Sequence, residues 1–294
     1  MKKIILMLGI LTAGLTLWGS VIIVYASGPH RAVQITPTPV PTQTIIDKPA
    51  TVSPQMQASV FSQGSSDQPE IALTFDDGPS PQYTPQILNI LQANGVHATF
   101  FCIGEQVQAD PDLVLQEANA GHVVANHSWN HPDLTTLTTD QVHAQLSDTS
   151  NAIQSADGQM PVFFRPPYGA INEDVQSQGA QLGLRPILWN VDTLDWELPG
   201  SDNIVKTALD NASNGAVILM HDGGGDRSQT VAALPAIISG LKERGFQLVT
   251  IKQLVDDAQK DGTDTAVSTS PVALAQFGSA ALADFSHERL IGRL

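Results

Sequence analysis

Cysteine is almost absent from this chain, since Cys102 is the single cysteine among 294 residues. An internal disulfide is therefore excluded, and stability must come from a packed core rather than from covalent cross-links. A closed structural zinc site, which commonly uses several cysteines, is disfavoured for the same reason. Cys102 lies in the apolar run ATFFCIG, which predicts a small buried side chain.

Basic residues are also scarce: Lys and Arg together number 14 against 29 for Asp and Glu, a formal net charge of -15. This balance disfavours a nucleic-acid partner and an anionic membrane surface, because both would repel the chain. A neutral or cationic partner fits the charge better. With 42% hydrophobic residues, the chain has enough apolar side chains for one core in a domain of about 200 residues.

The N-terminus predicts export. Lys2 and Lys3 precede an apolar run of roughly membrane-spanning length, IILMLGILTAGLTLWGSVIIVYA, that holds no charged residue. We interpret residues 1–27 as a signal peptide or a membrane anchor, and the basic residues before the run place the rest of the chain outside the cytoplasm. Residues 24–26 resemble a cleavage site, yet the run is longer than that of a typical signal peptide, so both alternatives stand.

Two further segments lack the pattern of a packed domain. Residues 28–68 are rich in Pro, Thr, Gln and Ser and poor in aromatic residues, which predicts an extended linker. Residues 259–294 have small side chains and weak periodicity, which predicts a flexible tail. The folded domain is therefore expected between these two segments.

Between the linker and the tail, short apolar runs alternate with helical patterns. Runs rich in β-branched and aromatic residues predict seven strands: IALTF, HATFFCI, HVVANH, PVFFRPP, RPILWNVD, AVILMHD and FQLVTI. Six segments with apolar residues at helical spacing predict helices: PQILNILQANG, PDLVLQEANAG, TTDQVHAQLSDTSNAIQSA, NEDVQSQGAQLG, SDNIVKTALDNASNG and TVAALPAIISGLKERG. The alternation predicts an α/β protein with a parallel sheet, and by itself leaves an open doubly wound sheet and a closed (β/α) barrel as alternatives.

Polar side chains follow five of these predicted strands at their carboxyl ends. In chain order they are Asp76, Asp77, His127, His131, Arg165, Asp192, Asp195, His221 and Asp222. The carboxyl ends of parallel strands meet at one edge, where the βα loops build binding and catalytic sites. We therefore expect one functional site there, although an Asp-Gly pair such as that in TFDDGPS is also common in simple turns.

The segment HSWNH carries a specific chemical signal. His127 and His131 are four residues apart, which predicts two imidazoles on one face of a helical turn, able to bind one metal ion. A carboxylate from another strand end would complete a set of two histidines and one aspartate with open positions for water and substrate. That arrangement is typical of a catalytic metal site rather than a structural one.

Five segments in this order, TFDDGPS, HSWNH, RPPYG, DTLDW and LMHDG, resemble the five motifs of the polysaccharide deacetylase family with the NodB-type domain, carbohydrate esterase family 4. The resemblance covers about residues 69 to 255, and we interpret residues 69–258 as the catalytic domain. It implies a distorted (β/α) barrel of about seven parallel strands. It also implies hydrolysis of N-acetyl groups on an amino-sugar polymer such as peptidoglycan or chitin.

The same resemblance divides the paired aspartates between two tasks. Asp77 would be a metal ligand together with His127 and His131. Asp76 would be the general base that deprotonates the attacking water, and Arg165 would pair with Asp76 and orient it. Two imidazoles and one carboxylate favour Zn²⁺, with Co²⁺ or another first-row metal as the alternative.

The last two motifs would complete the reaction. By the resemblance, His221 would be the general acid that protonates the leaving amine, held by Asp195, with Asp192 as the alternative partner. Trp196 and Leu219 would line an apolar slot for the acetyl methyl group.

By the same resemblance, the backbone N–H of Tyr168 in RPPYG would donate to the oxyanion that forms during hydrolysis.

A glycan is the expected partner, and the catalytic domain is expected to be monomeric and extracytoplasmic. Two alternatives stand beside this interpretation, an esterase that deacetylates acetylxylan and a glycan-binding module that has lost catalysis. Because all five motifs are intact, we expect an enzyme.

Overall fold

The computed structural model describes residues 59–264 of the chain. The predicted export segment, the linker up to residue 58 and the tail from residue 265 onwards lie outside the described residues. Within the described range, no helix is both long enough and apolar enough to span a membrane.

The described chain forms a curled sheet of eight strands, each parallel to the strands it pairs with. In chain order they are β1 (Glu70–Gly78), β2 (Thr99–Cys102), β3 (Val123–Asn126), β4 (Phe163–Phe164), β5 (Arg185–Pro186), β6 (Val191–Asp192), β7 (Ala216–His221) and β8 (Gln247–Val249). They lie in the order β5-β4-β3-β2-β1-β7-β6, and β8 pairs with the start of β1. The edge strands β5 and β6 share no ladder in the described residues, so the barrel is open and distorted. The predicted α/β barrel of the NodB type is confirmed.

One predicted strand is divided in two. The run RPILWNVD contains both β5 and β6, so the sheet has eight short strands where about seven are predicted. The Leu188 N–H donates to Phe61 O at 2.8 Å, whereas the Asn190 N–H donates to Val217 O at 3.3 Å. The backbone therefore changes partners between β5 and β6, from the segment before β1 to strand β7. The other six apolar runs each form one strand, as predicted.

Eight α-helices accompany the strands in the range 59–264. They are α1 (Thr84–Ala93), α2 (Gly104–Ala109), α3 (Pro111–Asn119), α4 (Thr139–Asp157), α5 (Glu173–Gln181), α6 (Ser201–Asp210), α7 (Ser228–Glu243) and α8 (Ile251–Lys260). The six predicted helices are confirmed as α1 and α3 to α7. Helix α2 has 6 residues, too few to show a period. Helix α8 is also missed, although its buried residues have helical spacing: Ile251, Leu254, Val255 and Ala258.

Strand β1 runs through the middle of the sheet and determines where its first aspartate points. The odd-numbered residues of Ile71–Phe75 pack into the large apolar cluster shared with α1, α6 and α7. Ala72 belongs to a second cluster with Phe101 and Val217. Because alternate strand residues share a face, Asp76 lies on the same side as Ala72, towards the interior of the barrel.

Residues outside the predicted domain 69–258 also pack against the barrel. Phe61 is buried in the second apolar cluster. Arg185 donates to the backbone oxygen of Ser59 at 3.1 Å and to both carboxylate oxygens of Asp264 at 2.6 Å. One buried guanidinium thus joins the two ends of the described chain, and the packed unit extends beyond both predicted boundaries.

Candidate active site

Asp76 and Arg165 form a buried ion pair at the carboxyl end of β1. Arg165 follows β4, and its Nη1 donates to Asp76 Oδ1 at 2.6 Å and to Thr74 Oγ1 at 2.9 Å. The guanidinium also lies over the ring of Phe101, with its central carbon 4.1 Å from the ring centroid. Each charge would be costly to bury alone, so the pair compensates both charges and holds Asp76 in one orientation.

Asp77 reaches the same site because its backbone leaves the strand geometry. Its φ is 73°, in the left-handed region, and the pairing of β1 with β2 shifts register between Asp76 and Gly78. Neighbouring residues on a regular strand point to opposite faces, and a bulge of this kind turns a side chain to a new direction. The two adjacent aspartates therefore face one site.

Asp77, His127 and His131 bring three ligand atoms together. Asp77 Oδ1 lies 3.4 Å from His127 Nε2 and 3.4 Å from His131 Nε2, and the ligand atoms all lie within 4.8 Å of one another. Asp77 Oδ1 is buried and has no hydrogen-bond partner among the described residues, a deficit that a cation would satisfy. The three residues form a possible metal site, and their oxygen and nitrogen donors suit a divalent first-row metal.

The backbone sets the tautomer of His127. His127 Nδ1 lies 2.7 Å from Arg165 O; because a carbonyl only accepts, Nδ1 carries the hydrogen and leaves Nε2 to face Asp77. Burial would lower the pKa of His127, but the carboxylates of Asp76 and Asp77 outweigh it and raise that pKa. Burial and the charge of His127 lower the pKa of His131 to about 4. His131 is therefore neutral at pH 7, as a metal ligand must be.

The loop between the two histidines is not helical. The helical turn predicted for HSWNH is wrong, since Ser128 and His131 have φ values of 63° and 62°. Hydrogen bonds from helix α4 hold the loop instead: Gln145 Oε1 accepts from the N–H groups of Trp129 at 2.7 Å and Asn130 at 3.2 Å. The Gln145 amide also donates to Asn130 Oδ1 at 2.8 Å. Sequence reasoning missed Gln145, because a helical period does not show which polar side chain reaches a loop.

His221 lies on the opposite side of β1 from the two other histidines, at the end of β7. Its Nδ1 is 2.7 Å from Asp195 Oδ1, and its backbone N–H donates to Asp195 Oδ2 at 2.9 Å. Thr230 Oγ1 donates to the same Oδ2 at 2.7 Å, which fixes the carboxylate. Burial would lower the pKa of His221, but the charge and hydrogen bond of Asp195 raise it to about 9. His221 is therefore protonated at pH 7.

The structure pairs His221 with Asp195 and not with Asp192. Asp195 is fully buried at the start of a 3₁₀-helix, Asp195–Glu197. Asp192 Oδ1 accepts instead from the backbone N–H of Leu194 at 2.9 Å, which makes it part of a local turn.

The three predicted substrate contacts differ in exposure. The Tyr168 side chain is 39% exposed, and its ring packs edge-on against His131 with the centroids 4.6 Å apart. Trp196 is half-buried in the short helix that begins at Asp195. Leu219 is buried within β7. Their contact with a substrate stays a prediction.

Left-handed backbone conformations concentrate in the motifs. Among residues 59–264, six residues other than glycine have a positive φ: Asp77, Ser128, His131, Tyr168, Leu194 and Leu198. The first five of these lie within TFDDGPS, HSWNH, RPPYG and DTLDW. Each such conformation costs ~1–3 kcal/mol and persists only where the surrounding structure imposes it, which is typical of functional sites.

The glycines after His221 pack against Asp77, a residue of the possible metal site. A Cβ on Gly223 would overlap the backbone of Asp77, and one on Gly224 would overlap its carboxylate. Only residues without a side chain can approach so closely. This glycine segment therefore lies directly behind Asp77.

Comparison with known proteins agrees with the family resemblance. A family model described as polysaccharide deacetylase matches residues 63–187. The chitooligosaccharide deacetylase of Rhizobium leguminosarum bv. trifolii is 44% identical over 204 residues, which cover 66% of this chain and 95% of that protein.

Solved structures share the fold. The crystal structure of the Bc1960 peptidoglycan N-acetylglucosamine deacetylase matches with a TM-score of 0.65 and 37% identity, over 67% of this chain and 92% of that one. BA3943, a CE4 family pseudoenzyme from Bacillus anthracis, matches with a TM-score of 0.65 and 32% identity, over 70% of this chain and 70% of that one. The chain belongs to the polysaccharide deacetylase family.

Proposed function

We propose that this chain is a metal-dependent hydrolase that removes N-acetyl groups from an amino-sugar polymer. One observation carries the proposal: a set of two histidines and one aspartate shares an edge of the sheet with the buried carboxylate of Asp76 and the His221–Asp195 pair. Hydrolysis of an amide needs a polarised carbonyl, a base for water and an acid for the leaving amine. A chitooligosaccharide deacetylase and a peptidoglycan N-acetylglucosamine deacetylase among the similar proteins support the substrate class.

Asp77, His127 and His131 would hold the metal ion. The buried Oδ1 of Asp77 and the Nε2 atom of His127 favour Zn²⁺, with Co²⁺ or another first-row metal as the alternative. When bound, such an ion polarises the substrate carbonyl and lowers the pKa of water. Three protein ligands leave positions open, as a catalytic site requires.

Asp76 would be the general base. Arg165 Nη1 donates to its Oδ1, while its Oδ2 faces the possible metal site, 3.6 Å from His127 Nε2. A carboxylate with one oxygen fixed and the other directed at the site can take a proton from a water molecule there. Arg165 would be a positioning residue, because it touches Asp76 and is itself fully buried.

His221 would be the general acid. Its Nδ1 is engaged by Asp195, so its Nε2 is the nitrogen that can donate. In the proposed reaction a C–O bond forms between water and the acetyl carbon, and Asp76 takes the water proton. The C–N bond then breaks, and the proton of His221 Nε2 goes to the departing amine. Acetate and a free amino sugar result.

The acetyl group would lie beside three further residues. The backbone N–H of Tyr168 would donate to the oxyanion, and Trp196 with Leu219 would contact the methyl group. Support comes from the position of the Tyr168 ring against His131 and from Trp196 following Asp195 in the chain. The expected partner is a glycan, and the catalytic domain is expected to act as a monomer.

Acetate release from purified peptidoglycan, chitin oligomers and acetylxylan tests the proposal. We expect release from one or both N-acetylated polymers and none from an Asp76→Asn control. Release from acetylxylan alone would show an O-deacetylase. Tight binding of a glycan without release of acetate would show a binding module.

We also propose that the protein works outside the cytoplasm, because its substrates would be wall polymers and residues 1–27 have the pattern of an export segment. N-terminal sequencing of the mature protein, with fractionation of membrane and medium, tests this location. A mature chain that begins near Ser27 and occurs only in the medium would contradict a membrane anchor.

A further inference from the structure

We propose that Asp222, the residue after the predicted acid His221, is a positioning residue that fixes the Asp76–Asp77 turn against strand β7. The inference rests on the proposed function, because it assigns a role toward the proposed metal ligand and base. Asp222 is fully buried, although it carries a carboxyl group. The hydrogen bonds of Asp222 go to the segment that carries the two aspartates and to the helix that follows it.

The backbone after His221 holds the first aspartate. The Asp222 N–H donates to Asp76 O at 3.0 Å, and the Gly223 N–H reaches the same oxygen at 3.3 Å. Two donors from one loop therefore converge on the carbonyl between Asp76 and Asp77. This carbonyl lies where β1 leaves its regular register with β2.

The side chain of Asp222 holds the turn that comes next. Thr84 Oγ1 donates to Asp222 Oδ2, and the same hydroxyl accepts from the Ser80 N–H at 2.7 Å. A hydroxyl has one hydrogen and two lone pairs, so Thr84 can donate to the Asp222 carboxylate while it accepts from Ser80. A continuous chain of hydrogen bonds thus runs from the turn after Asp77, through the first residue of α1, to strand β7.

Gly78 permits this arrangement. A Cβ on Gly78 would overlap the Asp222 carboxylate, so the carboxylate lies directly against the backbone that follows Asp77. The glycine of TFDDGPS is therefore required for close approach rather than for the turn alone. With the carboxylate in place, the bulge cannot relax back towards a regular strand, which would turn Asp77 away from the histidines.

Taken by itself, burial of the Asp222 carboxyl group destabilises the fold. Its Oδ1 is buried with no hydrogen-bond partner among the described residues. A buried carboxyl oxygen without a partner destabilises a fold. A role at the site explains why a carboxyl group occupies this position.

The test compares paired substitutions at both ends of the hydrogen bond. Asp222→Ala and Thr84→Val remove the contact, whereas Asp222→Asn and Thr84→Ser retain an acceptor and a donor. Zn²⁺ affinity of chelator-stripped protein is measured by calorimetry, kcat and KM by acetate release, and folding by thermal unfolding. Thr99→Val is the matched control, because Thr99 is as buried as Thr84. Within the described residues, its Oγ1 accepts one hydrogen bond, from the Ile251 N–H at 3.0 Å.

We expect Asp222→Ala and Thr84→Val to weaken Zn²⁺ binding and lower kcat by about 10- to 100-fold, with KM little changed. Asp222→Asn and Thr84→Ser should retain most of the Zn²⁺ affinity and most of kcat. Thr99→Val should lower the melting temperature without changing Zn²⁺ affinity. If Asp222→Ala does not fold, the Thr84→Val and Thr84→Ser pair decides the question.

The positioning role is overturned if Thr84→Val and Asp222→Ala lose thermal stability, as Thr99→Val does, while Zn²⁺ affinity and kcat stay at the wild-type values. That result is distinct from failure of the proposed function. In the latter case the wild-type protein itself would bind no Zn²⁺ and release no acetate, and the positioning role would fall with it.

Discussion

His131 and His221 lie in one site, yet their surroundings move their pKa values in opposite directions. Burial alone would lower the pKa of both side chains. His131 also faces the charge of His127, and its pKa is about 4. His221 has the Asp195 carboxylate at 2.7 Å, and its pKa is about 9. The neighbours thus keep the His131 imidazole neutral and the His221 imidazole protonated at pH 7, as their proposed roles of metal ligand and general acid require.

The two sides of the site also differ in how they are built. The His131 side depends on loops with left-handed residues, held by backbone hydrogen bonds and by Gln145. The His221 side depends on a strand end and one buried carboxylate that accepts from Thr230 as well. The comparison teaches that the proposed metal ligands are positioned by loop geometry, whereas the proposed acid is set by one buried carboxylate.

The largest expected effects come from substituting the two adjacent aspartates, which should alter kcat and metal binding differently. Asp76→Asn should lower kcat by about 10²- to 10⁴-fold, because it removes the proposed general base, while metal binding is retained. Asp77→Ala should abolish tight metal binding itself, because it removes the only carboxylate of the metal set. Elemental analysis of both variants, purified without chelator, gives the measurement. Equal metal loss in the two variants would show that the division of tasks is wrong.

The next effect concerns the acid side alone. In Asp195→Asn the pKa of His221 should fall from about 9 towards its ordinary value of 6.5, because the carboxylate charge is gone. The acid form would then be lost at lower pH, and kcat at pH 8 should fall by about 20-fold beyond any loss seen at pH 6. The pH profile of kcat and an NMR titration of His221 in metal-free protein check this expectation.

Metal content serves as the control for that variant. Asp195→Asn should bind Zn²⁺ as wild type does, since Asp195 contacts His221 and Thr230 rather than the metal set. An unchanged alkaline limb of the pH profile would contradict the assignment of His221 as the acid.

The smallest effect tests the loop side. Gln145→Leu should weaken Zn²⁺ binding by about tenfold, because the loop between His127 and His131 loses three hydrogen bonds. Gln154→Leu on the same helix is the matched control, since Gln154 is exposed. Calorimetry of the two variants compares them. Equal Zn²⁺ affinity in both would mean that Gln145 does not hold the loop.

Much of the fold was predictable because its signals are local. Apolar runs and helical periods predict the strands and six of the helices, and the strand ends predict that Asp76, Arg165 and His221 meet. The division of RPILWNVD into β5 and β6 was not predictable, since it depends on hydrogen bonds to Phe61 and to β7.

The contacts inside the site could not be predicted from the sequence. The left-handed conformation of Asp77 and the Gln145 contact arise from tertiary packing that outweighs local preference. The contact of Thr84 with Asp222 joins residues far apart in the chain, and neither residue type is unusual at its position. The motifs therefore name the expected reacting groups and some of the residues that orient them, Arg165 and Asp195, whereas Gln145 and Thr84 lie outside every motif.

Zinc stoichiometry combined with reversible loss of acetate release tests the central claim most directly. The protein purified without chelator should contain about one Zn²⁺ or equivalent first-row ion per chain. A strong chelator should abolish acetate release from an N-acetylated glycan, and added Zn²⁺ should restore it. Acetate release that persists in chelator, from protein without a bound divalent metal, would contradict the account.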